Sequence, residues 1–357
     1  MKILVLKFRN IGDVLLITPL LSNLKQYYPE SQIDVSVNKS TESMISLNPS
    51  INKVIIYDRD LIKPLPLARK FLKEIAFTLS FRKEHYDIVI NLTEGDRGAL
   101  IAWLSGAPIR IGHPNKNRIL KDVFTHHLPI QGFRHTLETN LDPLRVLNLP
   151  ITSKKVKIFW DEADEKVATK KLSNINKFIH IHPVSRWLFK CINDQKMAQI
   201  IDYCEQELNR KVIITAAPIQ AELDKINSIL SLCQSNPVNL SGKLTLKQTA
   251  ALNKRAKIFI GVDTAIMHIS AANDIPVIAF FGPSGANHWG PWDNSMVKSF
   301  YLQNNGFQVM GKHRVFAESR SCQPCGQDGC NGTKISDCLM SLDVDLIKKN
   351  IREMMDA

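Results

Sequence analysis

Short apolar strands alternating with helical segments, in a series that runs once and then restarts, predict an α/β chain of two doubly wound, mainly parallel sheets. Three observations carry this. The strand-like runs are short and continuously apolar, as in Lys2-Ile-Leu-Val-Leu and Lys257-Ile-Phe-Ile260. Helix-starting residues follow several strand ends directly, as in Gly12-Asp13 and Gly261-Val-Asp-Thr264. A chain of 357 residues is long for one core and typical of two domains.

Met1–Phe8 reads as the first strand, followed by a turn through Arg9-Asn-Ile-Gly12 and a helix over Asp13–Lys25. Gln32–Val37, Lys53–Tyr57, Tyr86–Leu92 and Pro108–Gly112 continue the strands, with helices expected near Thr41–Leu47, Lys63–Lys83 and Asp96–Leu104. The second series comprises Phe178–His182, Lys211–Thr215, Val238–Leu240, Lys257–Ile260 and Val277–Phe281. Leu149–Glu165 is the expected hinge, which gives an N-terminal domain over 1–155 and a C-terminal domain over 156–335. Residues 336–357 form a terminal helix expected to pack back on the N-terminal domain. The economical arrangement is two domains facing across a cleft that holds the ligands.

Lys and Arg exceed Asp and Glu by 46 to 34, a formal charge of +12 that favours anionic partners. No aromatic RNA-binding pattern, helix-turn-helix spacing or zinc finger is present, so nucleic acid is not the expected partner. No apolar run approaches the roughly 20 residues that span a bilayer, and the N-terminus lacks a signal pattern, so a cytoplasmic location is expected. Within 63–83, Leu67, Phe71, Ile75 and Leu79 fall on one helical face, with Arg69, Lys70 and Lys73 elsewhere. That face suits a core helix with a solvated basic side, or a helix lying on anionic lipid headgroups.

Candidate chemistry collects at strand ends. Asp13, opening a helix after the first strand, is placed either as a plain cap or as a base at the mouth of a sheet. Asp263 and Thr264 stand where a helix begins after a strand; the helix N-terminus there suits a phosphate or diphosphate, and the plainer reading is again capping. Ser185, Arg186 and Lys190 follow the second domain's first strand, where Lys190 as a point charge offsets negative charge on a departing diphosphate. Glu222 is placed to accept from ribose hydroxyls, or to sit as a first-turn helix acid. Neither a spaced-glycine dinucleotide fingerprint nor a Gly-x-x-x-x-Gly-Lys loop occurs, which argues against a dehydrogenase or a P-loop ATPase.

Ile11-Gly-Asp-Val-Leu-Leu-Ile-Thr-Pro-Leu20, His182-Pro-Val-Ser-Arg-Trp187 with Lys190, Gly261-Val-Asp-Thr-Ala-Ile-Met-His268 and Phe281-Gly-Pro-Ser284 together resemble the bacterial lipopolysaccharide heptosyltransferases, glycosyltransferase family nine. The likeness runs over essentially the whole chain. The opening Lys7-Phe-Arg-Asn-Ile-Gly-Asp13 and the cysteine-rich end resemble the subgroup that acts third on the inner core. The resemblance implies a GT-B fold of two Rossmann-like domains and an ADP-L-glycero-β-D-manno-heptose donor. It implies inversion at the anomeric carbon without metal or other cofactor, and transfer to the second heptose of the lipopolysaccharide inner core. Asp13 is then the general base, and Lys190, Glu222, Asp263, Thr264 and His268 fall on the donor site, beside Ser185 and Arg186. Ala265 stands where the family often has glycine, which narrows backbone approach to the diphosphate. Lys7, Arg9, Arg97 and Arg118 are expected to contact the phosphorylated, lipid-anchored acceptor, met at the cytoplasmic face of the inner membrane by peripheral contact. An earlier heptosyl step and a non-catalytic nucleotide- or glycan-binding adapter remain alternatives. Cys322, Cys325, Cys330 and Cys338, spaced C-x2-C-x4-C-x7-C, suit reduced thiols, a disulfide or, as the minority reading, a structural zinc.

Overall fold

The computed structural model describes residues 1–115, 117–173 and 175–356. It forms two compact units, one of Met1–Gly132 and Thr136–Phe159, the other of Phe133–His135 and Trp160–Ala357.

The first unit is built on β1 (Lys2–Lys7), β2 (Gln32–Asn38), β3 (Lys53–Tyr57), β4 (Ile88–Asn91), β5 (Ile109–Gly112) and β6 (His126–His127), in the order β3-β2-β1-β4-β5-β6. Every pairing is parallel. Ile3, Leu4, Val5 and Leu6 are all fully buried, so β1 is covered on both faces and reads as one apolar run instead of an alternating one. The chain winds outward from β1 to β3, then returns to β4 on the other side of β1. That reversal opens a crevice at the carboxyl ends of β1 and β4, the place where ligands of such sheets bind.

The second unit repeats the plan with β7 (Phe178–His182), β8 (Lys211–Ile214), β9 (Val238–Asn239), β10 (Ile258–Val262), β11 (Val277–Phe280), β12 (Gln308–Met310) and β13 (His313–Phe316). The order β12-β13-β11-β10-β7-β8-β9 puts its reversal between β7 and β10. Only β12 is antiparallel; Gly311 (φ +56°) and Lys312 join it to β13 as a two-residue hairpin. The β7–β10 seam is tight. Gly261 pairs with His182, and a Cβ on Gly261 would meet the His182 carbonyl oxygen at 2.6 Å and the Phe259 ring at 2.7 Å.

Several elements differ from the sequence expectation, each for a local reason. The helix expected over Asp13–Lys25 is two helices, Ile11–Leu15 and Thr18–Tyr27, because Pro19 cannot continue a helix through its own position. Thr18 donates its hydroxyl to the Leu15 carbonyl at the break, 2.9 Å away. The helix near Thr41–Leu47 shrinks to a 3₁₀ turn at Glu42–Met44, bracketed by left-handed Ser40 and Leu47. In the helix Leu67–Ser80, the row Leu67, Phe71, Ile75 and Leu79 faces outward and does not form a core face. Contact with the unit runs instead through Phe77, whose ring lies 5.1 Å from Tyr57 and 5.2 Å from Phe81, and through buried Thr78. The C-terminal helix Val344–Asp356, expected to pack on the first domain, buries Ile347 and Ile351 in the second unit's own core with Met197, Ile200 and Ile201. Ala357 lies outside the described residues.

Replacing Gly261 with alanine forces a methyl group against the β7 backbone. Gly261→Ala should destabilise the protein by about 1–3 kcal/mol in urea denaturation. Parent-like stability would show that the two central strands have slack there.

Candidate functional site

The carboxyl ends of β7 and β10 bring together residues far apart in sequence. Beyond β10, Asp263 lies buried, one residue before the N-cap of the helix Ala265–Ala272. Its Oδ2 accepts from the Lys190 ammonium at 2.6 Å and from the Ser284 hydroxyl at 2.5 Å. Lys190 ends the 3₁₀ turn Leu188–Lys190, which follows β7. Burial alone would push the Asp263 carboxyl up. The charge and hydrogen bond of Lys190, with help from Ser284 and His268, outweigh it, and the pKa falls below the ordinary carboxylate value.

Neither the Asp263 nor the Thr264 side chain therefore caps the helix, although both are placed to do so. Thr264 occupies the N-cap with extended backbone (φ −144°, ψ 171°), yet no side chain caps the first turn. Its Oγ1 is buried with no hydrogen-bond partner. The first-turn amides, which have no acceptor inside the helix, and an unpartnered hydroxyl thus share one end with a lysine held by a buried carboxylate. That combination suits a phosphate or diphosphate. Ala265, half-buried, is the first helical residue, and His268, buried one turn on, is close enough to Asp263 to affect its titration.

Behind this end runs a buried polar ladder. Asn253 Nδ2 lies 3.0 Å from His180 Nδ1, His180 Nε2 lies 2.8 Å from Thr215 Oγ1, and Thr215 Oγ1 lies 2.9 Å from His182 Nδ1. Asn273 Nδ2 donates to Asn253 Oδ1 at 3.0 Å. Burial lowers the pKa of His180 to about 3 and that of His182 to about 4, so both imidazoles are neutral near pH 7.

In the first unit, Asp13 is the third residue of the helix Ile11–Leu15, not its cap, which is Asn10. Its Oδ2 accepts from the Asn10 backbone N–H at 3.3 Å, and the side chain is buried. Lys7, at the end of β1, is buried too, donating to Asn140 Oδ1 at 3.0 Å and to the Leu92 carbonyl at 3.4 Å. Burial lowers its pKa to about 8; the Asp13 carboxylate pulls it partly back up, and Arg9 opposes that. A carboxylate and a lysine thus share the carboxyl end of the first sheet's inner strand.

The remaining expected residues divide. Glu222 is buried in the first turn of the helix Gln220–Leu232, where its Oε2 accepts from the Ala217 N–H at 2.9 Å; burial raises its pKa against that bond. Ser185 is buried and its Oγ accepts from the Trp187 N–H at 3.2 Å, while Arg186 is exposed with its guanidinium 5.8 Å from the Trp187 ring. Arg9 and Arg118 are exposed. Arg97 is committed within the first unit: it donates to Tyr57 Oη at 2.8 Å and Glu74 Oε1 at 3.2 Å and lies 4.0 Å over the Tyr57 ring. Cys322, Cys325, Cys330 and Cys338 are unpaired thiols, and no three His, Cys, Asp or Glu side chains among the described residues are set to hold a metal. Burial raises the Cys338 thiol to about 11, with the other three near enough to add to the shift. Ser284 was not singled out from sequence, although its motif was; a serine just past a strand end is a weak signal until its partner is seen. Trp187 was missed likewise: it is 41% exposed, and the Lys190 ammonium sits 5.2 Å from its ring.

Residues 75–312 match the family model described as glycosyltransferase family 9 (heptosyltransferase). The chain is 32% identical over 294 residues to lipopolysaccharide heptosyltransferase 3 of Escherichia coli, covering 80% of this chain and 85% of that one. Its fold is similar to that of a family 9 glycosyl transferase from Veillonella parvula DSM 2008 (TM-score 0.79, 21% identity, 99% of this chain and 97% of that chain). It is also similar to E. coli heptosyltransferase WaaC solved with ADP (TM-score 0.74, 18% identity, 99% and 100%). For the same enzyme with ADP-2-deoxy-2-fluoro heptose the TM-score is 0.69, at 17% identity and 99% of each chain. These likenesses give the fold as GT-B.

Two measurements probe the electrostatics. Lys190→Ala strands a buried carboxylate and should lower stability by about 3–5 kcal/mol. Asp263 has its pKa depressed in the folded state, so its contribution is present above the unfolded carboxylate value and is lost as pH falls through the folded one. In Lys190→Ala burial prevails and raises the folded pKa, so the stability deficit seen at neutral pH should shrink as pH falls; a deficit that does not change with pH would refute the pairing. Lys7 acts with the same sign in a more alkaline window. Between about 8 and 10.5 the unfolded chain holds a proton that the folded chain has released, so stability rises with pH. Lys7→Met should flatten that rise, and equal slopes would show that Lys7 is hydrated.

Proposed function

The chain belongs to glycosyltransferase family 9, the heptosyltransferases, and on that premise we propose that it is an inverting transferase of lipopolysaccharide core assembly. It moves L-glycero-D-manno-heptose from ADP-heptose to the second heptose of the inner core. The observation that carries this is the uncapped helix end at Ala265, with Thr264 Oγ1 unpartnered and Lys190 held beside it by Asp263. These groups receive the diphosphate of ADP-heptose. Lys190 supplies the positive charge that a departing ADP needs, so the reaction proceeds without a metal ion. The similarity to a lipopolysaccharide heptosyltransferase 3 supports the branch heptose as product.

Asp13 is the general base in this reading. It removes the proton from the acceptor hydroxyl as that oxygen attacks the anomeric carbon and the bond to the ADP oxygen breaks, which inverts the centre. The carboxylate is oriented by the Asn10 N–H, and buried Lys7 lies close to it. Glu222 and His268 complete the donor end, and Arg9 and Arg118, both exposed, are available to phosphates of the acceptor. The acceptor is lipid-anchored, so the chain meets it at the cytoplasmic face of the inner membrane.

The test is ADP release from ADP-heptose with core lipopolysaccharide lacking the branch heptose, with the product weighed. Acceptor-dependent release with one added heptose is expected. Release only with a shorter core would assign an earlier step, and donor binding without release on any core would leave a binding protein. Asp13→Asn should lower kcat by about 10²- to 10⁴-fold while leaving donor affinity nearly unchanged. Full turnover in that variant would remove Asp13 from the mechanism.

A further inference from the structure

The helix Leu67–Ser80 carries an apolar face that its own unit leaves uncovered. Leu67 is 83% exposed, Phe71 65% and Leu72 64%, with Ile75 and Leu79 also exposed. Positions four apart stack along one side of a helix, so Leu67, Phe71, Ile75 and Leu79 form a continuous row, with Leu72 beside it. At 100° per residue, Arg69 and Lys73 flank one edge of this row and Lys70 the other. All three are exposed, and among the described residues none has an ion-pair partner. Residues 63–73 contain Lys63, Arg69, Lys70 and Lys73 and no acid at all. The first acid, Glu74, turns inward to Arg97 and Tyr57.

The helix is also held in place without its apolar row. Phe77, Thr78 and the Glu74–Arg97 pair fasten its inner side, so the row is presented on a fixed support. A flat apolar stripe edged on both sides by uncompensated cations matches an anionic lipid surface, with acyl chains below and phosphates beside. A protein groove would have to offer acids at both edges as well as an apolar floor.

We propose that Leu67–Ser80 docks the protein on an anionic bilayer, with Leu67, Phe71, Leu72, Ile75 and Leu79 sunk among the acyl chains and Arg69, Lys70 and Lys73 on headgroup phosphates. This rests on the reading of a lipid-anchored acceptor and names the surface that meets its membrane. The test uses the full chain and co-sedimentation with phosphatidylcholine vesicles with and without phosphatidylglycerol. Binding is expected only with phosphatidylglycerol, and it should weaken as salt is raised. Phe71→Asp combined with Leu72→Asp should abolish it with the circular dichroism unchanged. Arg69→Glu, Lys70→Glu and Lys73→Glu together should weaken it on the order of 10²-fold or more, at about fivefold for each cation lost near the surface.

Parent-like vesicle binding in the Asp variant overturns the proposal. So does concentration-dependent dimerisation of the wild type without vesicle binding, which would make the row a contact between copies. ADP release with a deacylated, water-soluble core separates the two readings. Turnover there should be equal in wild type and variants. Vesicle binding with no turnover on any acceptor would defeat the transferase assignment and leave the docking surface standing.

Discussion

Asp263 is a carboxylate nearly cut off from water, and the carboxyl end of the second sheet is arranged to keep it ionised. A buried charge needs a partner, and here the partner is Lys190. The pair ties the 3₁₀ turn after β7 to the turn after β10, the two strands between which the sheet reverses direction. Because Asp263 is occupied with the lysine and Ser284, it does not cap the helix that follows it. A helix that would ordinarily be closed by its own sequence is left open. An anion arriving there finds donors whose orientation has already been fixed, which is the condition for electrostatic stabilisation without reorganisation.

The first unit uses the same topology for a different purpose. Its strand order also reverses beside the first strand, and again an ionisable residue stands just beyond that strand: Asp13 there, Lys190 in the second unit. The charges are reversed in role. In the second unit a buried carboxylate holds a lysine; in the first, a buried lysine lies close to a carboxylate. One scaffold thus provides an acidic end and a basic end, and the choice is made by a few residues at one turn.

Much of this was legible in the sequence because it depends on local pattern. Continuous apolar runs marked the central strands, since a strand covered on both faces has no polar side to show. The positions of Asp13, Lys190 and Asp263 at strand ends followed from those runs. The pairing of Lys190 with Asp263 did not, because it depends on β7 and β10 being neighbours although 75 residues of chain separate the end of one from the start of the other. The bonds of Arg97 to Tyr57 and Glu74 were illegible for the same reason, since they join elements separated in sequence. Helical periodicity found the row from Leu67 to Leu79 and could not say which way it faces. Periodicity registers that a face is apolar; only the packing of Phe77 on the opposite side decides that the row is left outside.

The buried polar ladder of the second unit has a direction. An amide NH₂ can only donate, so Asn253 fixes Nδ1 of His180 as an acceptor and sends the ring proton to Nε2. That nitrogen then donates to Thr215, whose single hydroxyl proton is left for Nδ1 of His182. With Nδ1 accepting, neutral His182 carries its own proton on Nε2. Each tautomer is thereby dictated by the one before it, starting from an asparagine that is itself held by Asn273. The chain of bonds works as a one-way relay of polarity: it delivers to the end of β7 an uncharged N–H donor whose identity is set three residues away, by an asparagine that ends the helix Leu246–Asn253.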